Sequence, residues 1–172
     1  MRLRPYIPLK DYEYLHNWIS DERIHALWCA NLIPYPMTIK ELQAVLDRDA
    51  LDWGGCAYVA TEDDGRPIGF FVFAVNVSNN TGFLKFVIVN NELRGKGYGT
   101  QMLKLLLRYA FDIAGVSSVQ LNVFDTNANA KKCYLKAGFV EDSITANAFT
   151  FMNESWGRCH MVVGPLSRFS TN

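Results

Sequence analysis

Six residues near the middle of the chain have the composition of an anion-binding loop: Arg94-Gly95-Lys96-Gly97-Tyr98-Gly99. They stand between an apolar segment, residues 83–89, that predicts a buried strand and a segment, residues 100–115, that predicts a helix. Glycine lets a backbone approach an anion closely, and the free N–H groups and dipole of a helix start favour negative charge. Because Arg94 and Lys96 add two full charges, the pattern predicts a phosphate-binding loop.

The spacing of these glycines excludes two common nucleotide-binding loops. In the dinucleotide pattern G-x-G-x-x-G the third glycine would come later than Gly99, and in the P-loop a hydroxyl residue would follow Lys96, where Gly97 stands. On this stretch alone, an ordinary glycine-rich turn between a strand and a helix stays an open alternative.

A second motif favours the ligand-binding interpretation. It occupies residues 125–139, with the sequence DTNANAKKCYLKAGF, and follows another strand-like segment, residues 119–124. With R-G-K-G-Y-G at a helix start and N-x-x-A-x-x-x-Y-x-x-x-G-F about thirty residues later, the chain resembles the GNAT superfamily of acetyl-CoA-dependent N-acetyltransferases. Either motif alone is weak, whereas both in order, each after a strand, are specific. The resemblance covers residues 54–139 well and the flanks in outline.

The resemblance implies acetyl-CoA as co-substrate, bound in a cleft between the strand at 83–89 and the strand at 119–124. The pantetheine arm would pair with backbone groups of the first strand, and the pyrophosphate would lie on the glycine loop. The implied cofactor-binding residues are Val87, Ile88, Val89, Arg94, Gly95, Lys96, Gly97, Tyr98, Gly99, Thr100 and Asn127. No metal is expected, because the cysteines and histidines do not cluster as a zinc site requires.

The resemblance also assigns one catalytic residue, Tyr134, which matches the family tyrosine beside the thioester sulfur. A phenol is a reasonable general acid for a leaving thiolate. Tyr134 follows Asn127 by two helical turns, so both project from one helix face. A purely structural ring packed on the sheet is the alternative. The neighbouring Cys133 has no partner placed to activate it, so a buried structural thiol is favoured over a nucleophile.

The general base is not assigned by sequence. Some members of the family carry a glutamate where this chain has Asn122, and others an acid on the strand before the glycine loop, where it has Lys85. Neither side chain here is a useful base. The remaining candidates, each also readable as an ordinary surface or loop residue, are Glu154, Glu62, His25 and Tyr35.

Length and composition indicate one domain over residues 1–172. Seventeen basic and seventeen acidic residues balance, which argues against nucleic-acid or anionic-membrane partners. The N-terminus lacks the apolar core of a signal peptide, and no apolar run approaches transmembrane length. Four cysteines that lie far apart, without a C-x-x-C pair, predict reduced thiols in a cytoplasmic protein.

The pattern of elements predicts the fold class. Three strand candidates between residues 56 and 89 are separated by short turn signals and indicate an antiparallel meander, and helix, strand, helix and strand follow. Thr38 and Glu41 form a capping box that starts an earlier helix. We therefore expect a mixed, mostly antiparallel central sheet of about six to seven strands flanked by helices, an α/β (α+β) fold like that of the resembled family.

The expected function is transfer of acetyl from acetyl-CoA to a primary amine by direct attack in a ternary complex. The acceptor is a small-molecule amine or a peptide or protein N-terminus, bound between the loop at 28–37 and the hairpin around Glu154. The aromatic residues there look loosely like those of Rim-type enzymes, which acetylate protein N-termini. A homodimer is compatible with this expectation. Two alternatives stay open: an acyltransferase for a longer acyl-CoA, and a non-catalytic acyl-CoA-binding or sensing domain.

Overall fold

Seven strands and five α-helices form residues 1–165, the part of the chain that the computed structural model describes. The strands are β1 (Arg2–Pro5), β2 (Cys56–Thr61), β3 (Pro67–Asn76), β4 (Thr81–Val89), β5 (Ser118–Phe124), β6 (Val140–Phe151) and β7 (Glu154–Val163). The helices are α1 (Pro8–Trp18), α2 (Glu22–Cys29), α3 (Ile39–Trp53), α4 (Tyr98–Arg108) and α5 (Ala128–Ala137).

All seven strands belong to one sheet, in the order β1-β2-β3-β4-β5-β7-β6. Neighbouring strands are antiparallel except β4 and β5, which are parallel. α4 and a π-helical turn, Tyr109–Ile113, carry the chain back to the start of β5, as a parallel pair requires. The predicted mixed, mostly antiparallel sheet flanked by helices is confirmed.

The helices cover both faces of the sheet and divide the core into two main clusters. On one face, α4 and α5 pack on residues that include Leu121, Val123 and Met161. On the other, α1, α2 and α3 pack on Phe70, Val72 and their neighbours. A smaller third cluster joins α2 to the β6–β7 hairpin through Ala26, Phe151 and Trp156. None of the helices within residues 1–165 is both long and apolar enough to cross a membrane.

Local sequence patterns explain where α3 begins and where α5 ends. The Thr38 side chain accepts a hydrogen bond from the Glu41 backbone N–H, and the Glu41 carboxylate accepts one from the Thr38 backbone N–H, so the capping box at the start of α3 is confirmed. Gly138 ends α5 with a φ of 105°, a conformation that favours glycine. This second signal matters for function because α5 carries Tyr134.

Candidate functional site

β4 and β5 separate after only four residue pairs. Their parallel ladder begins at Thr81–Ser118 and ends at Leu84–Leu121. β4 continues to Val89 and β5 to Phe124, without further pairing between them. The backbone groups of residues 85–89 that face β5 therefore have no strand partner on that side. This opening lies where the family resemblance implies a cleft.

A β-bulge bends β4 at the start of the cleft. The register between β3 and β4 shifts by one residue between Phe70 and Val72, so that one β3 residue opposes two residues of β4. Phe86, one of these two, has a φ of 51°, in the left-handed region that bulky residues rarely adopt. Because a bulge bends its strand and increases the local twist, we attribute the separation of β4 from β5 to it.

A buried tryptophan holds the carbonyl of this bulge. Trp28, on α2, donates its indole N–H to the Phe86 carbonyl oxygen at 2.8 Å, and the two rings lie 5.7 Å apart between centroids. Since a buried carbonyl left without a partner costs about 1–3 kcal/mol, this bond stabilises the bulged conformation. This bond could not be predicted from the sequence, because no local pattern marks a contact between residues 58 positions apart.

The glycine loop has the geometry of an anion cradle. Gly95 and Gly97 have φ values of 77° and 88°, and a Cβ atom built on either would meet no atom within 4 Å. Gly97 is the N-cap of α4 and provides no side-chain cap, so the first N–H groups of the helix are free to bind a ligand. The open space and the uncapped helix start fit the pyrophosphate that the resemblance implies.

Arg94 has a structural role in addition to the one predicted for it. Its guanidinium donates to the carbonyl oxygen of Val89 at 3.2 Å and to that of Trp18 at 2.9 Å. Partial burial lowers the pKa of Arg94, although an arginine remains charged at neutral pH. Arg94 therefore ties the loop to the end of β4 and to the end of α1, and it adds positive charge beside the predicted phosphate site.

The first turn of α4 packs tightly against α5. A Cβ atom on Gly99 would lie 3.0 Å from the Cys133 sulfur, and that sulfur is 3.5 Å from the Thr100 hydroxyl oxygen. Gly99 is thus needed for close approach of the helices. Cys133 lies at this helix–helix contact, which supports the interpretation of a structural thiol.

Tyr134 projects from α5 into the core between the sheet and the helices. Its side chain is 7% exposed, and its ring packs edge-on against Phe139 at 5.8 Å between centroids. Burial, and to a smaller extent Cys133, raise the pKa of Tyr134, so the phenol keeps its proton at neutral pH. Its hydroxyl makes no hydrogen bond to any other residue within 1–165 and can serve a ligand.

Asn127 stands at the N-cap of α5. Its side-chain oxygen accepts a hydrogen bond from the Ala130 backbone N–H at 3.2 Å. This cap explains why an asparagine begins the helix. The amide nitrogen of the same side chain remains as the donor for the predicted contact with the cofactor arm.

Glu154 is a poor candidate for the general base. Its carboxylate accepts two hydrogen bonds from Arg23, at 2.5 and 2.9 Å, and a third from the Trp156 indole N–H at 2.9 Å. The bonds from Arg23 first, and then the one from Trp156, lower the pKa of Glu154 to about 2. Such a carboxylate has little affinity for a proton. The interaction instead fastens α2 to the β6–β7 hairpin, with Arg23 also lying over the Trp156 ring.

The other three candidate bases are also badly placed. Glu62 forms a salt bridge with Arg66 at the end of β2, which β3 separates from β4. His25 is fully buried, 3.5 Å from the Cys29 sulfur, and burial lowers its pKa. The Tyr35 ring packs beside it at 5.2 Å between centroids. None of these groups lies on a strand that borders the cleft.

The two strand positions that sequence analysis singled out do border the cleft. Asn122 is the first β5 residue beyond the last β4–β5 pair and is exposed. Lys85 is the first such residue on β4 and forms a salt bridge with Asp49 on α3. Within residues 1–165, no cluster of three or more histidine, cysteine or acidic side chains is arranged to hold a metal ion.

Comparison with known proteins agrees with this geometry. Residues 12–139 match the model of a family described as the acetyltransferase (GNAT) family. An uncharacterised N-acetyltransferase of Methanocaldococcus jannaschii is 37% identical over 84 residues, a match that covers 49% of this chain and 52% of that protein. A spermidine N(1)-acetyltransferase of Vibrio cholerae is 24% identical over 144 residues, or 83% of this chain and 80% of that protein.

A solved structure shares the fold. The spermidine N-acetyltransferase of Vibrio cholerae, crystallised in complex with CoA and spermine, superposes with a TM-score of 0.80. The match covers 95% of this chain and 94% of that one, at 21% sequence identity. A similarity of this degree establishes a common fold.

The Trp28 bond leads to a testable expectation about β4. Trp28→Phe keeps an aromatic ring but removes the N–H donor, so the Phe86 carbonyl loses its partner. We expect the free energy of unfolding to fall by about 1–3 kcal/mol beyond the loss of packing. Amide hydrogen exchange should also become faster in residues 85–89. Chemical denaturation and exchange mass spectrometry measure the two effects.

Trp18→Phe is the matched control, because Trp18 is the other buried tryptophan of the same cluster and makes no bond to the bulge. Equal destabilisation by the two substitutions, with unchanged exchange in β4, would contradict the role given to Trp28.

Proposed function

Because this chain belongs to the acetyltransferase (GNAT) family, we propose that it transfers acetyl from acetyl-CoA to a primary amine by direct attack in a ternary complex. The acyltransferase class follows from the family. The observation that carries the rest of the proposal is the combination of a separated β4 edge with an uncapped, glycine-lined helix start. An extended amide-bearing arm suits the strand edge, and a pyrophosphate suits the helix start.

The cofactor residues act mainly through their backbone. On the open side of β4, residues 87–89 offer backbone groups to the pantetheine amides, apart from the Val89 carbonyl, which accepts from Arg94. The phosphates are offered the N–H groups of residue 95 and of residues 97–100, because the Lys96 N–H donates to the Leu93 carbonyl. Acetyl-CoA supplies the activated acetyl group as a thioester. A β4 N–H aimed at the carbonyl oxygen stabilises the negative charge that develops on it, and it does so without reorganisation because the bulge holds the strand in place.

Tyr134 acts on the leaving sulfur. Tyr134 is a largely buried residue on the helix that borders the cleft, and its protonated hydroxyl is a donor without a protein partner. A hydrogen bond or proton from this hydroxyl offsets the negative charge on the departing thiolate. The packing of the ring on Phe139 holds the hydroxyl in position, so the structural and catalytic interpretations of Tyr134 are compatible.

The acceptor is a free amine that enters from the side of α2 and the β6–β7 hairpin. Phe149, Phe151 and Trp156 pack on one another and on α2, so they form the wall of this entrance rather than an open aromatic cage. The similarity to a protein named spermidine N(1)-acetyltransferase supports a small-molecule amine as the acceptor. Peptide α-amines stay candidates because they too are primary amines.

We further propose that the enzyme works in the cytoplasm without a metal. Its cysteines are free, as expected in a reducing compartment. A homodimer would cover the edge strand β6, where Val140 and Ile144 are exposed.

Gly97→Val tests cofactor binding. The substitution places a branched side chain in the open space beside the helix start, where the phosphates are proposed to lie. We expect CoA binding to become undetectable by calorimetry. Gly65→Val is the matched control, because Gly65 has a φ of 89° and equally open surroundings in the β2–β3 turn. The Gly65→Val variant suffers the same backbone strain and should bind CoA with parental affinity. Full CoA affinity in Gly97→Val would refute the proposed phosphate site.

Tyr134→Phe tests the general acid. The variant keeps the ring and removes only the hydroxyl, so folding and CoA affinity should be unchanged. We expect the turnover rate to fall by about 10²–10⁴-fold, measured as release of free thiol. Tyr6→Phe, which removes a buried hydroxyl without a hydrogen-bond partner, should leave the rate unchanged. Parental turnover in Tyr134→Phe would leave the tyrosine a structural role only.

Acceptor preference should follow the basicity of the amine. An unperturbed alkylamine titrates near ~10.4 and a peptide α-amine near ~7.7–8.0, so at neutral pH the α-amine offers a roughly several-hundred-fold larger neutral fraction. With no carboxylate at position 122 or 85, we expect α-amines to react faster than lysine-like amines. An acceptor panel of amino acids, polyamines, aminoglycosides and peptides measures this. Faster acetylation of the high-pKa amines at pH 7 would contradict it.

A further inference from the structure

One histidine lies beside the cleft and has no role in the site described so far. His160 is on β7, directly opposite Asn122 of β5. Directly opposed residues on antiparallel strands point to the same face of the sheet, with Cβ atoms about 4.5–5.5 Å apart. Asn122 is itself the first β5 residue beyond the last β4–β5 pair. His160 is therefore one strand away from the opening of the cleft.

The side chain of His160 lies on the face of the sheet opposite Tyr134. Its neighbours in β7, Cys159 and Met161, are buried in the cluster with α4 and α5. Because successive strand residues alternate between faces, His160 and Asn122 project from the other side. The His160 side chain is 28% exposed, so water can reach the imidazole. This is the face from which the acceptor amine is proposed to approach.

A carboxylate orients this imidazole. The Nδ1 atom of His160 lies 3.1 Å from an Asp142 carboxylate oxygen. Asp142 stands at an irregularity of β6, where the register shifts between Glu141 and Ser143. A hydrogen bond from Nδ1–H to the carboxylate fixes the tautomer in which Nε2 carries the lone pair. Nε2 has no hydrogen-bond partner within residues 1–165.

We propose that His160, oriented by Asp142, is the general base that accepts the proton of the acceptor amine. This inference rests on the proposed function. The nitrogen–carbon bond forms as the carbon–sulfur bond breaks, and the proton leaves the nitrogen through one water held by Asn122 to His160 Nε2. The imidazolium then releases that proton to solvent. Tyr134 gives a proton to the sulfur and regains one from solvent, so the charges balance.

The surroundings of His160 suit this role. Two charged residues face the imidazole: Asp142 from β6, and Arg158, two residues away on the same face of β7. The residue facing it from β5, Asn122, is neutral. Glu154, Glu62 and His25 are poor candidates for the general base. His160 offers one instead, on β7, the strand next to β5.

The decisive measurement is kcat at saturating acetyl-CoA, with a tripeptide that has a free α-amino group as acceptor. We expect His160→Ala to lower kcat by about 10²–10⁴-fold, with CoA affinity unchanged. Added imidazole should restore part of the rate of this variant. Asp142→Asn should lower kcat by about tenfold, a smaller loss, because the base stays while its orientation weakens.

His16→Ala is the matched control, because His16 is an exposed histidine on α1. The His16→Ala variant should keep the parental kcat, and added imidazole should not change it. Parental kcat in His160→Ala would overturn the proposal. So would a lower kcat that added imidazole does not rescue, since that outcome indicates a structural residue.

A second readout does not depend on turnover. Long-range ¹H–¹⁵N correlation spectra should show His160 of the free protein protonated at Nδ1 and unprotonated at Nε2 at pH 8, and Asp142→Asn should mix the tautomers. An Nε2–H tautomer in the parent would overturn the assignment of the base. If the parental protein released no thiol with any acceptor, the proposed function would fail, and these spectra would still test the His160–Asp142 pair.

Discussion

The separation of β4 from β5 is the constraint on which the rest of the site depends. In a continuous ladder the backbone of residues 85–89 would use its hydrogen bonds on β5, and nothing would remain for a ligand. The bulge at Phe86 prevents this, although a left-handed conformation costs an ordinary residue about 1–2 kcal/mol. The buried bond from Trp28 offsets that cost. Trp28 belongs to α2, the helix beside the proposed acceptor entrance. Its bond therefore connects α2 to β4, the strand proposed to bind the cofactor.

The two faces of the sheet provide two different environments for proton transfer. On the α4–α5 side, Tyr134 is deprived of water, and burial keeps its proton on the phenol. On the opposite side, His160 is partly hydrated and can exchange a proton with solvent. The β4 backbone lies between these environments. The proposed acid and base are therefore separated by the sheet itself, which prevents them from neutralising each other directly.

Several charged groups near the site hold the elements in position. Arg23 and Glu154 join α2 to the β6–β7 hairpin through two charge-assisted bonds, and the pairing makes the carboxylate unsuitable as a base. Arg94 joins the glycine loop to α1 through the carbonyl of Trp18. A charged residue near a cleft is thus a candidate for catalysis only if its partners leave it free to exchange a proton or bind a ligand.

Features that depend only on residues close together in the chain could be predicted from the sequence. The capping box at Thr38, the glycine that ends α5 and the order of strands and helices all follow from local backbone preferences, and the structure agrees with them. The two motifs were sufficient to identify the family and to place the cleft, since each motif follows a strand at a fixed spacing.

Which side chains are free to act and which are held by a partner depends on contacts between distant parts of the chain. Residues 83–89 read as one regular strand in sequence, yet the bulge at Phe86 is held by a tryptophan 58 positions away. The partner of Glu154 is 131 positions away, and His160 meets Asn122 only through the register of β5 and β7. Such contacts have no local signature, because they arise from the packing of elements that are distant along the chain.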